Sequence, residues 1–579
     1  MSNVTRLNIF FLLLILGSMP ATAQTPKIFF SDLTSGPDKG GESVNGFSGV
    51  YVTLYGNFFG ASQGASTVTW NGQNCLRIVP AVGSYSGWGA PYLWYQKIVV
   101  QLGSACSAGT GNFVVTVNGH ASNEIPFTVR PGRIFCVSKS GSNNNSGKFP
   151  NQCWATIPKA RNTMAAGDIS YVENGVNQAA PDDYDSDLAI ETNGAEGSPI
   201  ALVVYPGATS VIGSADGTIN YALRTPNIGG FHFWTLAGFT VRANNIGIEI
   251  SGGSSDFRVV ALDVSCPTAI GVFQGGCMDT GLGTSHIAYL GNYVHDNAQL
   301  SSDPNSATKG FHNMYFSTDS NHVVAAWNLI DGDTGQNLCK GGKCNACRGI
   351  QFHSSPGGGG GPQDPSGHDM FDLHVHDNVI RNTRCDGINF ATVDPSQGTV
   401  EAYNNVIYHV GTGVLKGDQS SYACIYFPGI LNNGPAPGGT AQVYNNTCYD
   451  FGTSARDPNS GAFAVFPSGT MKVNFQNNIV FALPGQSYIS PNNRHHTDAY
   501  AGSNNLFFGA GAGPSFLSSN KTSDPKFVSP NTGNFHLLPG SPAIDAGAPM
   551  NLATDQDGVQ RPQGAACDIG AYEFSQGRK

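Results

Sequence analysis

The sequence predicts an all-β protein whose larger part is a parallel β-helix. Three observations lead to this fold class. A short phrase of alternating apolar and polar residues recurs at irregular intervals of tens of residues, as in a solenoid with loops of variable length. The alternation has the period of two that is typical of strands. Charged residues make up only 12% of the chain while glycines number 75, which favours many turns between short strands.

Each copy of the phrase contains two short strands joined at a polar corner that ends in asparagine. An asparagine at the same corner of successive coils can hydrogen-bond to its neighbours above and below, and it can satisfy backbone groups that a tight bend leaves unpaired. A ladder of asparagines is therefore expected along one edge of the solenoid. The four clearest copies of the phrase are 374–380, 401–407, 442–448 and 472–480.

Residues 1–23 have the features of a secretory signal peptide. Arg6 supplies a positive charge, residues 7–16 form an apolar core, and the motif Ala-Thr-Ala at 21–23 matches a cleavage site. The apolar core is too short to span a bilayer, which argues against a membrane anchor. The sequence therefore predicts a secreted protein, extracellular or periplasmic, without a transmembrane segment, whose mature chain begins at Gln24.

Residues 24–131 consist of short alternating strands with turns between them, the pattern of a small β-sandwich. One strand, 50–60, closes on a glycine turn, an Asn-Gly hairpin signal lies at 71–72, and 125–129 reads Ile-Pro-Phe-Thr-Val. This segment resembles the IPT/TIG immunoglobulin-like domain, whose glycine-closed early strand and terminal Pro-Phe-x-Val strand it matches. The resemblance implies a spacer or a binding module and seldom a catalytic one.

A second resemblance begins just after Pro131. A strand at 135–137 precedes a loop rich in glycine, serine and asparagine, and a short amphipathic helix follows at 154–160. This segment resembles the start of secreted right-handed parallel β-helix proteins of the pectate-lyase-like superfamily, in which the helix covers the exposed edge of the first coil. The resemblance implies a right-handed β-helix over 132–500, C-terminal coils and a cap over 501–579, and carbohydrate as the partner class.

The 13 cysteines of an exported chain indicate disulfide bonds. Cys344 and Cys347 are also spaced like half of a zinc site. The disulfide interpretation is favoured, because Cys347 aligns with Cys385 on the next coil, and adjacent strands lie within the reach of a disulfide. Cys567 is left as an odd thiol. The expected pairs are Cys75–Cys106, Cys136–Cys153, Cys266–Cys277, Cys424–Cys448, Cys347–Cys385 and Cys339–Cys344.

The aspartates near the C-terminus raise the question of a calcium site. The segment contains Ser-Pro-Ala-Ile-Asp at 541–545, Asp-Gln-Asp-Gly at 555–558, and Asp568, and it resembles the C-terminal cap of many exported bacterial β-helix proteins. Carboxylate oxygens suit calcium, but the spacing matches no known calcium loop, so a role in turns is favoured. Calcium is the one cofactor that the sequence leaves open.

Charge limits the partners of the protein. The formal net charge is −10 and the chain has no basic run, which argues against nucleic acid as a partner. An anionic polysaccharide would need a local basic groove to offset the overall repulsion. We expect a monomer whose partner is a polysaccharide.

A second repeated phrase, of the form Gly-Ile-X-Phe, predicts where chemistry takes place. The aliphatic and phenylalanine side chains of such a strand point into the core, and the residue between them points outward. Four copies recur at intervals of 36 to 38 residues, which stacks their outward residues. The predicted outward column consists of Tyr315, Gln351, Asn389 and Tyr426. His353 lies one step along a strand from this column, and a second column at the strand entrance contains His312, Arg348 and Asp386.

These residues predict a polysaccharide lyase that cleaves an acidic glycan by β-elimination. Such an enzyme needs a base for the proton beside the uronate carboxylate, an acid for the leaving oxygen, and a cation that neutralises the carboxylate. Tyr315 and His353 are the candidates for acid and base. Arg348 is the candidate cation, assisted by Lys340 and Lys343. The predicted catalytic group also includes His312 and Asp386, and the predicted substrate-binding residues are Asn389, Gln351, Tyr426, Lys340 and Lys343.

Two other functions fit the same face. A glycoside hydrolase needs a pair of carboxylates, for which Asp386 and Glu249 are the nearest candidates although they lie on different columns and several coils apart. A non-catalytic surface protein needs only aromatic side chains that stack on sugar rings. The motif blocks of the best-known pectate lyases are absent, and outward polar residues of a β-helix often have a structural role alone. The histidines of the repeat are interpreted as surface or turn residues, namely His286, His295, His322, His374 and His376.

Overall fold

The structure is a computed structural model that describes residues 24–81, 85–268, 275–298, 311–332, 348–354, 370–411, 423–429, 436–452, 460–466, 469–491 and 496–575. The predicted signal peptide at 1–23 falls outside these ranges. No helix in the described ranges is long and apolar enough to cross a membrane. Their regular structure is almost entirely β, as the sequence predicts.

The N-terminal part is a β-sandwich of two five-stranded sheets. Trp70, Phe113 and Phe127 are buried between the sheets, and the Trp70 indole donates to the Phe127 carbonyl at 3.2 Å. The first sheet contains Lys27–Ser31, Phe47–Asn57, Leu76–Ile78, Ala90–Tyr92 and Tyr95–Gly103. The second sheet contains Ser35–Gly36, Thr67–Trp70, Gly109–Val117, His120–Ala121 and Ile125–Val129.

The following chain winds through three parallel sheets, which confirms the predicted β-helix. Sheet 1 contains Ile134–Val137, Ile169–Val172, Ile200–Val204, His232–Ala237, Ser255–Val260, Ser285–Leu290, Asn321–Ala326, Leu373–His376, Val400–Tyr403, Thr440–Tyr444, Lys472–Gln476 and Tyr500–Ala501. Sheet 2 contains Val211–Ile212, Thr240–Arg242, Asp263–Ser265, Tyr293–His295, Leu329–Asp331, Val379–Thr383, Val406–Val410, Thr447–Tyr449, Ile479–Phe481 and Leu506–Phe508. Sheet 3 contains Ser186–Ala189, Tyr221–Arg224, Ile246–Ile250, Gly275–Thr280, Phe311–Ser317, Ile350–His353, Ile388–Phe390, Ala423–Phe427 and Gly461–Val465.

A short α-helix, Ile157–Thr163, covers the first coil near the position that the sequence predicts. The Thr156 side chain caps its N-terminus by accepting the Lys159 backbone N–H. Its buried residues join one apolar cluster with Phe135 and Trp154, whose ring centroids are 4.6 Å apart. The helix thus closes the core at the edge that would otherwise be open. The remaining short elements are Thr497–Ala499, Phe527–Ser529, Pro530–Thr532 and Asn534–Leu537.

The predicted asparagine ladder runs along the corner between sheets 1 and 2. Each side-chain amide donates to the side-chain oxygen of the next asparagine at 2.9–3.0 Å. That oxygen also accepts the backbone N–H of the preceding asparagine, and the amide donates a second bond to a backbone carbonyl. The corner therefore leaves few buried polar groups unpaired. The members are Asn292, Asn328, Asn378, Asn405, Asn446, Asn478 and Asn505, all at most 1% exposed.

The sandwich packs directly against the outer face of sheet 1. The Tyr171 hydroxyl accepts the Tyr51 backbone N–H and donates to the Tyr51 carbonyl, both at 2.8 Å. The Tyr95 hydroxyl donates to the Trp327 carbonyl at 3.1 Å, several coils further along. One apolar cluster contains buried residues of both parts. The sandwich is thus part of a common core with the β-helix.

The C-terminal segment, 522–575, runs back along the outer face of sheet 2. Phe535 and Ile569 belong to one apolar cluster with Tyr408 of that sheet. The side chains of Asn404 and Asn445 donate to backbone carbonyls of this segment at 3.0 and 3.1 Å. The sequence predicts a cap at the far end of the solenoid, and the structure shows a lateral cover instead, which forms because sheet 2 presents aromatic side chains outward.

The aspartates of this segment accept hydrogen bonds from the backbone. Asp555 accepts the N–H groups of Asp557 and Val559 with one oxygen and that of Glu573 with the other. Asp568 accepts two backbone N–H groups, at 2.7 and 2.6 Å. Glu573 forms a fully buried ion pair with Arg561 at 2.6 Å. These carboxylates hold turns, so the segment does not offer the set of open oxygens that calcium needs.

Four predicted disulfides are present, and they are Cys75–Cys106, Cys136–Cys153, Cys266–Cys277 and Cys424–Cys448. Cys385 is also disulfide-bonded. Its predicted partner Cys347 and the predicted pair Cys339–Cys344 lie outside the described residues, as does the alternative zinc site. Cys567 is a buried free thiol, as predicted.

Sheet 3 borders the long connections of the solenoid. Sheets 1 and 2 are joined by tight corners, such as that between Ala326 and Leu329. The next strand of sheet 3 begins at Ile350, far along the chain from the end of sheet 2 at Asp331, and a long connection also follows His353. Neither the sandwich nor the C-terminal segment packs on sheet 3 in the part of the chain that the structure describes. Binding and catalytic residues often lie on or beside loops that a rigid scaffold positions. Sheet 3 is therefore the face on which we expect a functional site.

Replacing Asn405 by alanine tests the ladder. The change removes the bonds to Asn446 and the Val375 carbonyl and leaves buried donors of Asn378 without an acceptor. We expect the free energy of unfolding to fall by about 3 kcal/mol, measured by urea titration. Asn151→Ala, at an exposed position, is the matched control and is expected to change stability by about 0.5 kcal/mol or less. Equal effects of the two substitutions would contradict a stabilising ladder.

Candidate functional site

The strands of sheet 3 place the predicted outward residues in one column. Tyr315 pairs with Gln351, Gln351 with Asn389, and Asn389 with Tyr426, each on adjacent strands. The core residues between them stack as well, as in the parallel rings of Phe316 and Phe352. The sequence spacing of the Gly-Ile-X-Phe phrase thus corresponds to one coil.

Tyr315 and His353, two of the predicted catalytic residues, are in contact on this face. The Tyr315 hydroxyl lies 3.3 Å from Nδ1 of His353, which is on the neighbouring strand. Burial, together with the nearby positive charge of Arg348, lowers the pKa of His353 to about 4. Burial raises the pKa of Tyr315 well above its ordinary value, assisted by the negative charge of Asp279. At neutral pH the imidazole is therefore neutral and the phenol keeps its proton.

Arg348 is held by a network beneath the face. Its Nε lies 3.0 Å from Asp386, and one of its terminal nitrogens donates to Gln351 at 3.0 Å. Asp386 has no exposed surface, and it also accepts the Asn389 amide at 2.9 Å and the Ala423 backbone N–H at 3.0 Å. The predicted catalytic residue Asp386 therefore orients the guanidinium from below. The predicted binding residues Gln351 and Asn389 belong to the same network.

His312 lies under the tyrosine. Its ring centroid is 5.3 Å from that of Tyr315, and its side chain is almost wholly buried. Burial holds the pKa of His312 well below its ordinary value, assisted by the positive charge of Arg348. Its Nδ1 has no hydrogen-bond partner among the residues that the structure describes. His312 therefore adds a neutral imidazole to the site.

The column extends beyond the residues that the repeated phrase predicts. Arg224 pairs with Glu249, Glu249 with Asp279, and Asp279 with Tyr315, on successive strands. The strand Gly275–Thr280 lacks the Ile and Phe of the repeated phrase, so the phrase does not predict Asp279. The available signal is spacing, since Asp279 lies 30 residues after Glu249 and 36 before Tyr315 (279 − 249 and 315 − 279).

Glu249 and Asp279 are two carboxyl groups in different surroundings. Glu249 lies 2.7 Å from the Arg224 guanidinium, which opposes the rise that burial causes in its pKa. Burial raises the pKa of Asp279 well above its ordinary value, and the charge of Glu249 adds to the rise. Burial therefore favours the protonated form of Asp279, while Arg224 favours the charged form of Glu249.

Other predicted residues lie elsewhere. Lys340 and Lys343, the expected assistants of Arg348, fall outside the described residues. Tyr426 is at the far end of the column with its ring edge against Phe466, 5.8 Å between centroids. Glu249 and Asp386 lie on different columns and several strands apart, so they form no carboxylate pair.

The described part of the chain contains one group of three metal-ligating side chains, Cys136, Cys153 and Glu173. The two cysteines are bonded to each other as a disulfide, so they offer no thiolate to an ion. The site on sheet 3 has two carboxyl groups next to each other and cations on both sides.

Comparisons with known proteins show the fold. No family model and no curated protein matches the sequence. Among solved structures, the chain is similar to pectate lyase Pel9A at 14% identity, over 76% of this chain and 96% of that one, with a TM-score of 0.50. It is also similar to XylC in complex with xylose, at 11% identity over 76% and 99% of the chains with a TM-score of 0.39. A rhamnogalacturonan lyase matches at 15% identity over 68% and 90%, with a TM-score of 0.33. The chain therefore shares its fold with parallel β-helix proteins that include a pectate lyase.

Proposed function

We propose that the protein is a secreted polysaccharide lyase that cleaves a uronate-containing glycan by β-elimination. The observation that carries the proposal is the contact between Tyr315 and His353 at 3.3 Å, beside Arg348 on sheet 3. A β-elimination needs a neutral base and a protonated acid at the same time, and burial puts His353 and Tyr315 in those states. A solved structure with the same fold is that of a pectate lyase, which supports the proposal at the level of the fold.

The reaction assigns one step to each of the three side chains. The neutral His353 imidazole takes the proton on the carbon beside the uronate carboxylate. The electron pair of that C–H bond forms a carbon–carbon double bond, and the bond from the next carbon to the glycosidic oxygen breaks. Tyr315 gives its proton to the leaving oxygen. The Arg348 guanidinium stabilises the negative charge that develops on the carboxylate.

The remaining parts of the proposal concern the chain as a whole. The disulfides and the signal-like residues 1–23 support export to an oxidising compartment. The negative net charge of −10 disfavours nucleic acid, so a glycan is the proposed partner. The sandwich is proposed as an IPT/TIG-like module, and the protein is proposed to act as a monomer.

Product analysis tests the reaction. The mature chain would be incubated with acidic and neutral polysaccharides, with and without calcium, while ultraviolet absorbance and reducing ends are recorded together. We expect both signals to rise together on an acidic glycan, since β-elimination leaves an unsaturated uronate. Reducing ends without absorbance would contradict a lyase. Silence of both signals over a broad panel would favour a protein that binds glycans without cleaving them.

Tyr315→Phe and His353→Ala are expected to lower kcat by about 10²–10⁴, because each removes one proton-transfer group. Tyr184→Phe is the matched control, since it removes the hydroxyl of an exposed tyrosine on the same protein. Circular dichroism spectra should be the same for all variants. Full activity of both site variants would exclude this pair from the reaction.

The pH dependence follows from the lowered pKa of His353. The base works only when it is unprotonated, and its pKa lies at about 4 instead of 6.5. The rate should therefore hold as the pH falls from neutral and should drop only near pH 4. An acid limb close to pH 6.5 in kcat/KM would show that an unperturbed histidine, or another group, is the base.

The pair of Glu249 and Asp279 supports a second candidate function, that of a glycoside hydrolase. Neighbouring strands lie about 4.8 Å apart, close to the separation of about 5–5.5 Å between the carboxyl groups of retaining enzymes. Asp279, whose protonated form burial favours, would serve as acid, and Glu249, whose charged form Arg224 favours, as nucleophile. Glu249→Gln and Asp279→Asn should then abolish the release of reducing ends while Tyr315→Phe leaves it intact. The reverse pattern selects the lyase.

A further inference from the structure

A groove of about 640 Å³ lies between the sandwich and the outer face of sheet 1. The sandwich contributes Pro126, Phe127 and Thr128 to one wall. The volume of the groove is within the range of small-molecule sites, about 300–1,000 Å³. The groove is on a different face of the solenoid from Tyr315 and His353, which belong to sheet 3.

The opposite wall is built by one repeated backbone feature. Five successive coils of sheet 1 each hold a non-glycine residue with a φ of 54° to 60° at the start of the strand. This left-handed conformation interrupts the regular alternation of a strand and redirects the side chain. All five residues line the groove, and they are Phe233, Asp256, His286, His322 and Asp372. The wall is therefore a regular column of side chains.

The centre of this column is a flat imidazole surface. The rings of His286 and His322 stack with centroids 4.5 Å apart and planes at 7°. Nδ1 of His322 lies 2.7 Å from the Asp372 carboxylate, which fixes the orientation of the ring. His286 is exposed, so part of its ring is accessible to a ligand. A flat ring with carboxylate acceptors beside it suits a sugar, whose C–H face stacks while its hydroxyls donate.

The charges that line the groove favour an uncharged ligand. Asp256 and Asp372 contribute two carboxylates, and Glu401 lies behind His374 at 2.6 Å. The lining cation Arg258 donates to the Ser31 carbonyl at 2.8 Å, and the buried Asp32 offsets its charge. A uronate chain would therefore meet more negative than positive charge here. This contrasts with the Arg348 side of sheet 3.

From this geometry we infer a second carbohydrate site, which binds uncharged sugar units in the groove between the sandwich and sheet 1. The site holds a neutral glycan against the His286–His322 stack, with Asp256 and Asp372 accepting hydroxyl hydrogens. It is separate from the proposed catalytic face and does not depend on the reaction there. Binding at this second site keeps the protein attached to a polysaccharide that contains neutral chains.

Calorimetric titration of the mature His353→Ala protein tests the inference without turnover on sheet 3. The ligands are short neutral oligosaccharides of glucose, xylose or mannose, and oligomers of galacturonate and of mannuronate as charged counterparts. We expect at least one neutral series to bind and the charged series not to compete with it. Adding His286→Ala should weaken that binding about tenfold, because the stacking surface is lost.

Two further variants separate binding from folding. His286→Phe keeps a flat ring and should retain most of the affinity, which a merely structural role would not predict. His496→Ala, at an exposed position outside both sites, is the matched control and should bind like its parent. The inference is overturned if no neutral oligosaccharide binds, if His286→Ala leaves the affinity unchanged, or if uronate oligomers displace the neutral ligand. A failure of the lyase assay on sheet 3 would leave this result unaffected.

Discussion

The buried asparagine ladder is the interaction on which the rest of the structure depends. Its amides satisfy the backbone at the corner between sheets 1 and 2 and fix the register between adjacent coils. A shift of one residue would turn every core side chain outward and every site residue inward. Tyr315 and Gln351 face the same side on adjacent coils because Asn328 and Asn378 hold the corners of those coils. The ladder thus sets the geometry of the proposed site from the opposite side of the solenoid.

The lateral covers leave sheet 3 as the face for the proposed chemistry. The sandwich occupies much of the outer face of sheet 1, and the C-terminal segment occupies that of sheet 2. On sheet 3, the outward column changes from Arg224 and Glu249 at one end to the Arg348 network near the middle. Burial raises the pKa values of the acidic groups in this column, Glu249, Asp279 and Tyr315, and lowers those of His312 and His353 beside it. Neighbouring side chains on the same face of the sheet therefore have pKa values shifted in opposite directions. Such a difference allows one group to act as acid and another as base.

The sequence predicts the repeating parts of this protein well and the non-repeating parts poorly. The ladder and the column from Tyr315 to Tyr426 follow from spacing alone, since a coil returns each motif residue to the same place. The position of Asp279 is not predicted, because its strand departs from the Gly-Ile-X-Phe phrase. The position of the C-terminal segment depends on contacts such as that of Ile569 with sheet 2, which are distant in sequence and leave no periodic signal. From the sequence, His286 and His322 are interpreted as surface or turn residues. They line a groove only because the sandwich packs beside them, and the sequence does not predict that contact.

The sandwich and the C-terminal segment contact each other on the side of the solenoid. The Asn57 amide of the sandwich donates to the Asp557 carbonyl at 3.1 Å, across 500 positions of sequence. Coils of a simple solenoid contact only their neighbours and can fray one at a time from either end. Here the sandwich and the C-terminal segment each pack along several coils, and they also contact each other. Opening of a coil between them must also break these long-range contacts, which raises the resistance of the chain to local unfolding and to proteolysis.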